Sequence, residues 1–246
     1  MIQELDQVKN EKVKSLERLF SRHTAGKYIG DLIYGSNDGI ITTFAIVASA
    51  AGANLPHLVI IILGLANIVA DGISMGASNY LGGKSEKDFA KSQREKEIWE
   101  IKNLRDLEVE EVREIYRQKG FIGKDLSRAV EIITSNEKVW VDTMMKDELG
   151  IIEDPKDKPA KHGFVTFMAF ILAGFIPLLP FFIPNLHNPF LISSIVAAVT
   201  LFIVGASRSF VTAVSFFRGG IEMFIVGSLA GTAAYFIGSV VEKFVR

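Results

Sequence analysis

Residues 55–83, LPHLVIIILGLANIVADGISMGASNYLGG, contain no Lys, Arg or Glu and a single Asp. At about 1.5 Å of rise per residue, roughly 20 apolar residues in a helix cover the ~30 Å hydrocarbon core of a bilayer. A backbone in that medium must satisfy its own hydrogen bonds, so this stretch constrains the chain to a membrane helix. Inside it, Asn67, Asp71, Ser74, Met75 and Ser78 recur at three- and four-residue intervals. That spacing sets them along one helical face and reads as the wall of a polar path.

The rest of the chain alternates in the same material. Of its 246 residues 49% are hydrophobic and 18 are Phe. The apolar residues gather in blocks, at about 28–52, 55–83, 163–183, 189–211 and 219–241, which predicts five spans. Pro177, Pro180 and Pro184 crowd the end of the third block. Gly227 and Gly231 in the fifth form a small-xxx-small pair. Between Lys27 and Lys84 lie Asp31, Asp38 and Asp71 and not one Lys or Arg. These acids must be protonated, partnered from another element, or awaiting a cation.

Residues 84–162 differ, with 17 Lys and Arg against 19 Asp and Glu and apolar positions at helical intervals. The pattern predicts a soluble insertion of three or four helices. One continues from the second span, and the others cover about 107–118, 124–134 and 137–149, with Gly120, Gly123 and Gly150 as stops. The expected organisation is therefore an amphipathic N-terminal helix over residues 1–27, spans one and two over 28–83, a helical domain over 84–162, and spans three to five over 163–246. The fold class is all-α. Lys and Arg concentrate in the N-terminal arm, the insertion and the 208–218 turn, which places the N-terminus and the insertion in the cytoplasm and the C-terminus outside. Residues 1–28 are polar and charged, so no cleavable signal peptide is read there.

A net charge of -1 gives no reason to expect a nucleic-acid partner, and the absence of Cys excludes disulfides and thiolate metal sites. In the insertion, Glu97 and Glu100 share a helix face, as do Glu108 and Glu111, and Met144 stands four residues before Glu148. Hard carboxylates with one soft thioether suit a borderline divalent ion such as Fe2+ or Mn2+. The same spacing also describes a solvated acidic face. No His among His23, His57, His162 and His187 follows a Glu by three, so a di-iron oxidase motif is missing. No triad, P-loop or GxGxxG turn is evident, and the chain is not read as an enzyme.

SNDGIITTFAIVASAAG (residues 36–52), ADGISMGASNYLGGKSE (70–86) and WVDTMMKDELG (140–150) together resemble the vacuolar iron transporter family. The resemblance extends over residues 28–246. It implies a homodimer in the lipid bilayer that exports Fe2+ from the cytosol in exchange for protons, along a path at the two-fold interface. It also implies that the insertion binds metal through Glu97, Glu100, Glu108, Glu111, Met144 and Glu148. Within the membrane it assigns Asp38 and Met75 to the path, with Asp31 as an earlier acid. The family often carries a glutamate where this chain has Asn67, while Asp71 stands one turn later. Fe2+ is the expected bound and carried ion, with Mn2+, Zn2+ and Co2+ as further candidates. A Mn2+-selective exporter and a membrane-anchored metal sensor or buffer are the competing readings. The expected location is a plasma membrane in a prokaryote or a vacuolar membrane in a eukaryote.

Overall fold

The computed structural model describes residues 2–154, 157–210, 212 and 214–245, with backbone alone over residues 2–25. Among the described residues eight α-helices follow in order: α1 (Ile2–Gly52), α2 (His57–Asn103), α3 (Arg105–Gln118), α4 (Gly123–Thr134), α5 (Glu137–Asp147), α6 (Pro159–Gly174), α7 (Pro189–Ser207) and α8 (Phe216–Val245). All regular structure among the described residues is helical. The chain divides into two compact units, one made of the segment up to Tyr80 and that from Ala160 onward, the other of Leu81–Pro159.

Four helical stretches among the described residues are long and apolar enough to cross a membrane: those within His57–Asn103, Pro159–Phe182, Pro189–Phe210 and Phe216–Val245. α1, expected as the first of five spans, is not among them. Asp31, Ser36, Asn37 and Asp38 dilute its apolar run. The N-terminal arm and this run form one unbroken helix. The amphipathic face expected of residues 1–27 falls largely on side chains outside the described residues.

In the first unit the outward surface is apolar. Leu58, Ile62, Leu65, Val69 and Ile73 of α2 are all exposed, at helical spacing, as suits a helix solvated by lipid. The core lies inward, with Val47, Ile60, Ile68 and Leu178 in one cluster and Ile40, Ala197 and Leu201 in another. Glycine lets backbones meet there. A Cβ at Gly39 of α1 would stand 2.4 Å from the Phe170 carbonyl oxygen of α6, and one at Gly163 of α6 would stand 2.4 Å from that of Gly76 on α2. Gly227 and Gly231 act differently. They admit side chains, since Cβ atoms there would stand 2.2 Å from Leu201 Cδ1 and 2.3 Å from Phe44 Cε1.

The prolines after α6 convert its continuation into a 3-10 helix, Ile176–Phe182. Pro cannot donate to the turn before it, so carbonyls are released. Ser193 Oγ on α7 donates to the Pro177 carbonyl at 2.6 Å and satisfies one of them.

The second unit is built on the charged part of α2 with α3, α4 and α5. α3 and α4 begin within two residues of the sequence expectation, and α5 ends two residues early. Gly120 and Gly150 follow helix ends with positive φ, while Gly123, expected as a stop, opens α4. The core gathers Ile101, Val112, Val130, Trp140, Val141 and Met144. Asn136 caps α5 by accepting from the Val139 N–H at 3.2 Å. Arg94 donates to Asp142 at 2.7 Å and to Glu153 at 2.8 Å, tying the segment after α5 to α2.

Candidate functional site

The insertion places its six candidate ligands unequally. Glu97 of α2 and Glu108 of α3 are 2% and 4% exposed, and one carboxylate oxygen of each is buried with no hydrogen-bond partner. Met144 is fully buried in the core beside Trp140. Glu100 is half-buried and paired with Lys96 at 3.1 Å. Glu111 is exposed, and Glu148, also exposed, caps the end of α5.

Electrostatics joins the five glutamates. Burial pushes the Glu97 carboxyl up to about 7, helped by the charges of Glu148, Glu100 and Glu111 and opposed by Lys96. Burial also raises Glu108 to about 7, with Glu111, Glu97, Glu100 and Glu148 adding to it. Glu148 is raised by partial loss of water, then by Glu111 and Glu100. Among the described residues, however, no three His, Asp or Glu side chains converge on a single metal-holding point. The arrangement is a field of mutually repelling acids, two of them buried with one oxygen each that lacks a donor. Such groups are stable only when they hold a proton or a cation.

The first unit holds the other candidates. Asp38 of α1 and Asp71 of α2 lie close enough for their charges to interact, and both are half-buried, as is Met75. Asn67 lines an open groove of about 580 Å3 with Ser49, Ala66, Ala70 and Ile237, and its amide nitrogen is buried without a partner. Asn37 Oδ1 and Thr43 Oγ1 on α1 are likewise buried and unpaired. Ser74 and Ser78 are exposed, so that part of the polar face of α2 is uncovered in the single chain.

Asp31 is the acid partnered from another element. His162 Nδ1 of α6 meets its Oδ2 at 2.5 Å, and Asn79 Nδ2 of α2 donates to its Oδ1 at 2.7 Å. Sequence reasoning missed both partners. His162 stands at a membrane edge, away from any motif, and Asn79 lies one residue past the polar stripe.

The VIT family model matches residues 29–239. The vacuolar iron transporter of Toxoplasma gondii is 35% identical over 232 residues, covering 89% of this chain and 76% of its own. Vacuolar iron transporter 1 of Arabidopsis thaliana is 32% identical over 237 residues, covering 96% and 95%. The vacuolar iron transporter of Plasmodium berghei is 35% identical over 235 residues, covering 91% and 86%.

Proposed function

The chain belongs to the VIT family, and from that membership we propose that it is an integral membrane transporter of divalent iron, exporting Fe2+ from the cytosol against an inward flow of protons. The relatives' names support metal transport and a vacuolar type of membrane. The observation that carries the finer reading is that Asp38 and Asp71, both half-buried, lie near enough for their charges to interact, in two helices that contain neither Lys nor Arg between residues 28 and 83. Two acids sharing a low-dielectric wall repel unless a proton or a cation sits between them, so proton and metal compete for one place. Met75 adds a thioether to that wall, a soft ligand that favours Fe2+ over Ca2+ and Mg2+.

In this reading α1 is the fifth crossing. It is held by its own packing, with Phe44 stacked on Phe190 at 6.4 Å and Phe190 on Tyr235 at 5.4 Å. The uncovered face of Ser74 and Ser78 and the open groove at Asn67 suit a second copy of the chain, so the working form is a homodimer with the path at its axis. The insertion faces the cytoplasm and collects Fe2+, or Mn2+, Zn2+ and Co2+, on Glu97, Glu100, Glu108, Glu111 and Glu148. Met144 would join that set only if its side chain left the core.

The test is metal uptake into liposomes holding the purified protein, with an acidic interior. Fe2+ accumulation that grows with the pH difference and is matched by proton efflux supports antiport. Mn2+ carried in preference to Fe2+ replaces the ion assignment. Metal bound but never moved would make the protein a membrane-anchored buffer and overturn the proposal.

A further inference from the structure

Asp31 sits seven residues before Asp38 on α1, and positions i and i+7 share a helix face about 10 Å apart. The surroundings of the two acids differ. Asp31 is only 14% exposed, and each of its oxygens receives a donor from a different helix. Asn79 Nδ2 supplies one, at 2.7 Å from α2, and His162 Nδ1 the other, at 2.5 Å from α6. With the carboxylate ionised, the ring nitrogen is the donor of this contact. The Asn79 amide is fixed in the same way, because the flipped orientation would set its oxygen against the carboxylate. Its nitrogen also donates to the buried Thr166 Oγ1 at 2.6 Å, so each of its two N–H bonds has a partner. Tyr28, one turn before Asp31, lies against the His162 ring with centroids 4.7 Å apart and holds the imidazole in place. The group is a clamp across α1, α2 and α6, with the carboxylate at its centre.

We propose that His162 and Asn79 are positioning residues that withhold Asp31 from the cation path, so that an ion moving along the Asp38 face must displace them before it can use this carboxylate. The proposal rests on the transport reading above. A carboxylate engaged by two short hydrogen bonds is a weaker metal ligand than an open one, since a ligating ion competes with the donors for its lone pairs. Displacing them also breaks the polar contacts that join α6 and α2 to α1 here, which couples ion capture to the helix contacts at this end of the unit. A passive pin between helices would set stability alone. A clamp on a ligand sets affinity.

The experiment uses the full protein in liposomes with Mn2+ as the probe, since it resists oxidation in air. His162→Ala should lower KM for Mn2+ by about tenfold, equivalent to about 1.4 kcal/mol, with little change in maximal rate. In His162→Asn the amide nitrogen overlays the imidazole Nδ1, so that variant should stay near the wild-type KM. Asn79→Ala removes the other donor and should shift KM in the same direction, which keeps the test open if His162→Ala does not fold. An unchanged or raised KM in a folded Ala variant overturns the proposal, as does a His162→Asn variant that behaves like His162→Ala. If the wild type carries neither Mn2+ nor Fe2+, the transport reading fails instead. The clamp is then decided by binding: the rise in thermal midpoint that Mn2+ gives should be larger in His162→Ala than in wild type, and an equal or smaller rise refutes it.

Discussion

Replacing Glu97 by Gln keeps the size of the side chain and removes its charge, so it isolates what burying that acid costs the insertion. Glu97 is 2% exposed, one oxygen has no donor, and its carboxyl is pushed from 4.5 to about 7. Below about pH 4.5 the group is protonated in both folded and unfolded chains and costs nothing. As pH rises toward 7 the unfolded chain releases the proton while the folded one keeps it, so stability falls. Above about 7 the loss is complete. Holding the carboxyl at about 7 in the folded chain, at about 1.4 kcal/mol per pH unit, amounts to roughly 3 kcal/mol. Part of it belongs to Glu148, Glu100 and Glu111, and Glu108 titrates with Glu97, so the acids act as a coupled set and one substitution recovers roughly 2–3 kcal/mol. Both Trp residues, Trp99 and Trp140, lie in this unit. Intrinsic fluorescence therefore follows its unfolding within the whole protein. In detergent with chelator, urea unfolding should show wild type and Glu97→Gln alike near pH 4 and the variant clearly more stable near pH 8. Saturating Mn2+ should reverse that order, because a ligand held by the folded state alone adds RT ln(1 + [L]/Kd) to wild type. A wild type whose stability does not decline between about pH 4.5 and 7, or a variant no more stable near pH 8, refutes the buried-acid argument.

The membrane unit yields three further expectations. Asp38→Asn cannot ionise, so it should abolish Fe2+ uptake into acid-loaded liposomes together with its pH dependence. Flux that persists moves the proton to Asp71. Met75→Leu should depress Fe2+ flux several-fold in a folded protein while altering Ca2+ exclusion, read by competition between the two ions. Gly238→Ala on α8 would place a methyl 2.0 Å from the Ser49 carbonyl oxygen of α1, and overpacking against backbone should cost about 1–3 kcal/mol or more. Its control is Gly30→Ala, with nothing within 4 Å of the added carbon, which should match wild type or gain about 0.5–1 kcal/mol from helix propensity. Thermal midpoints in detergent compare the two.

The parts of this molecule that follow from a helix's own repeat were legible in the sequence. Apolar run length marked the four membrane-length stretches found among the described residues, and apolar spacing placed α3 to α5 within two residues of their ends. Prolines announced the break after α6. In α1 the same signal is weak, because the polar residues that interest the chemist interrupt the apolar run that marks a span. A repeat of 100° per residue also put Asn67, Asp71, Ser74 and Met75 on one face and paired Glu97 with Glu100. It could not say that Glu97 and Glu108 are buried while Glu111 and Glu148 are exposed, nor that Met144 fills the core. Those differences arise where α2, α3 and α5 meet, and the identity of the facing helix is not carried by the spacing within any of them. The fate of Asp31 shows the same limit. Its partner His162 is 131 residues away and comes only with the packing of α6. Local periodicity fixes which side chains share a face. Tertiary structure decides what that face touches, and with it whether an acid is a ligand, a latch or a buried charge.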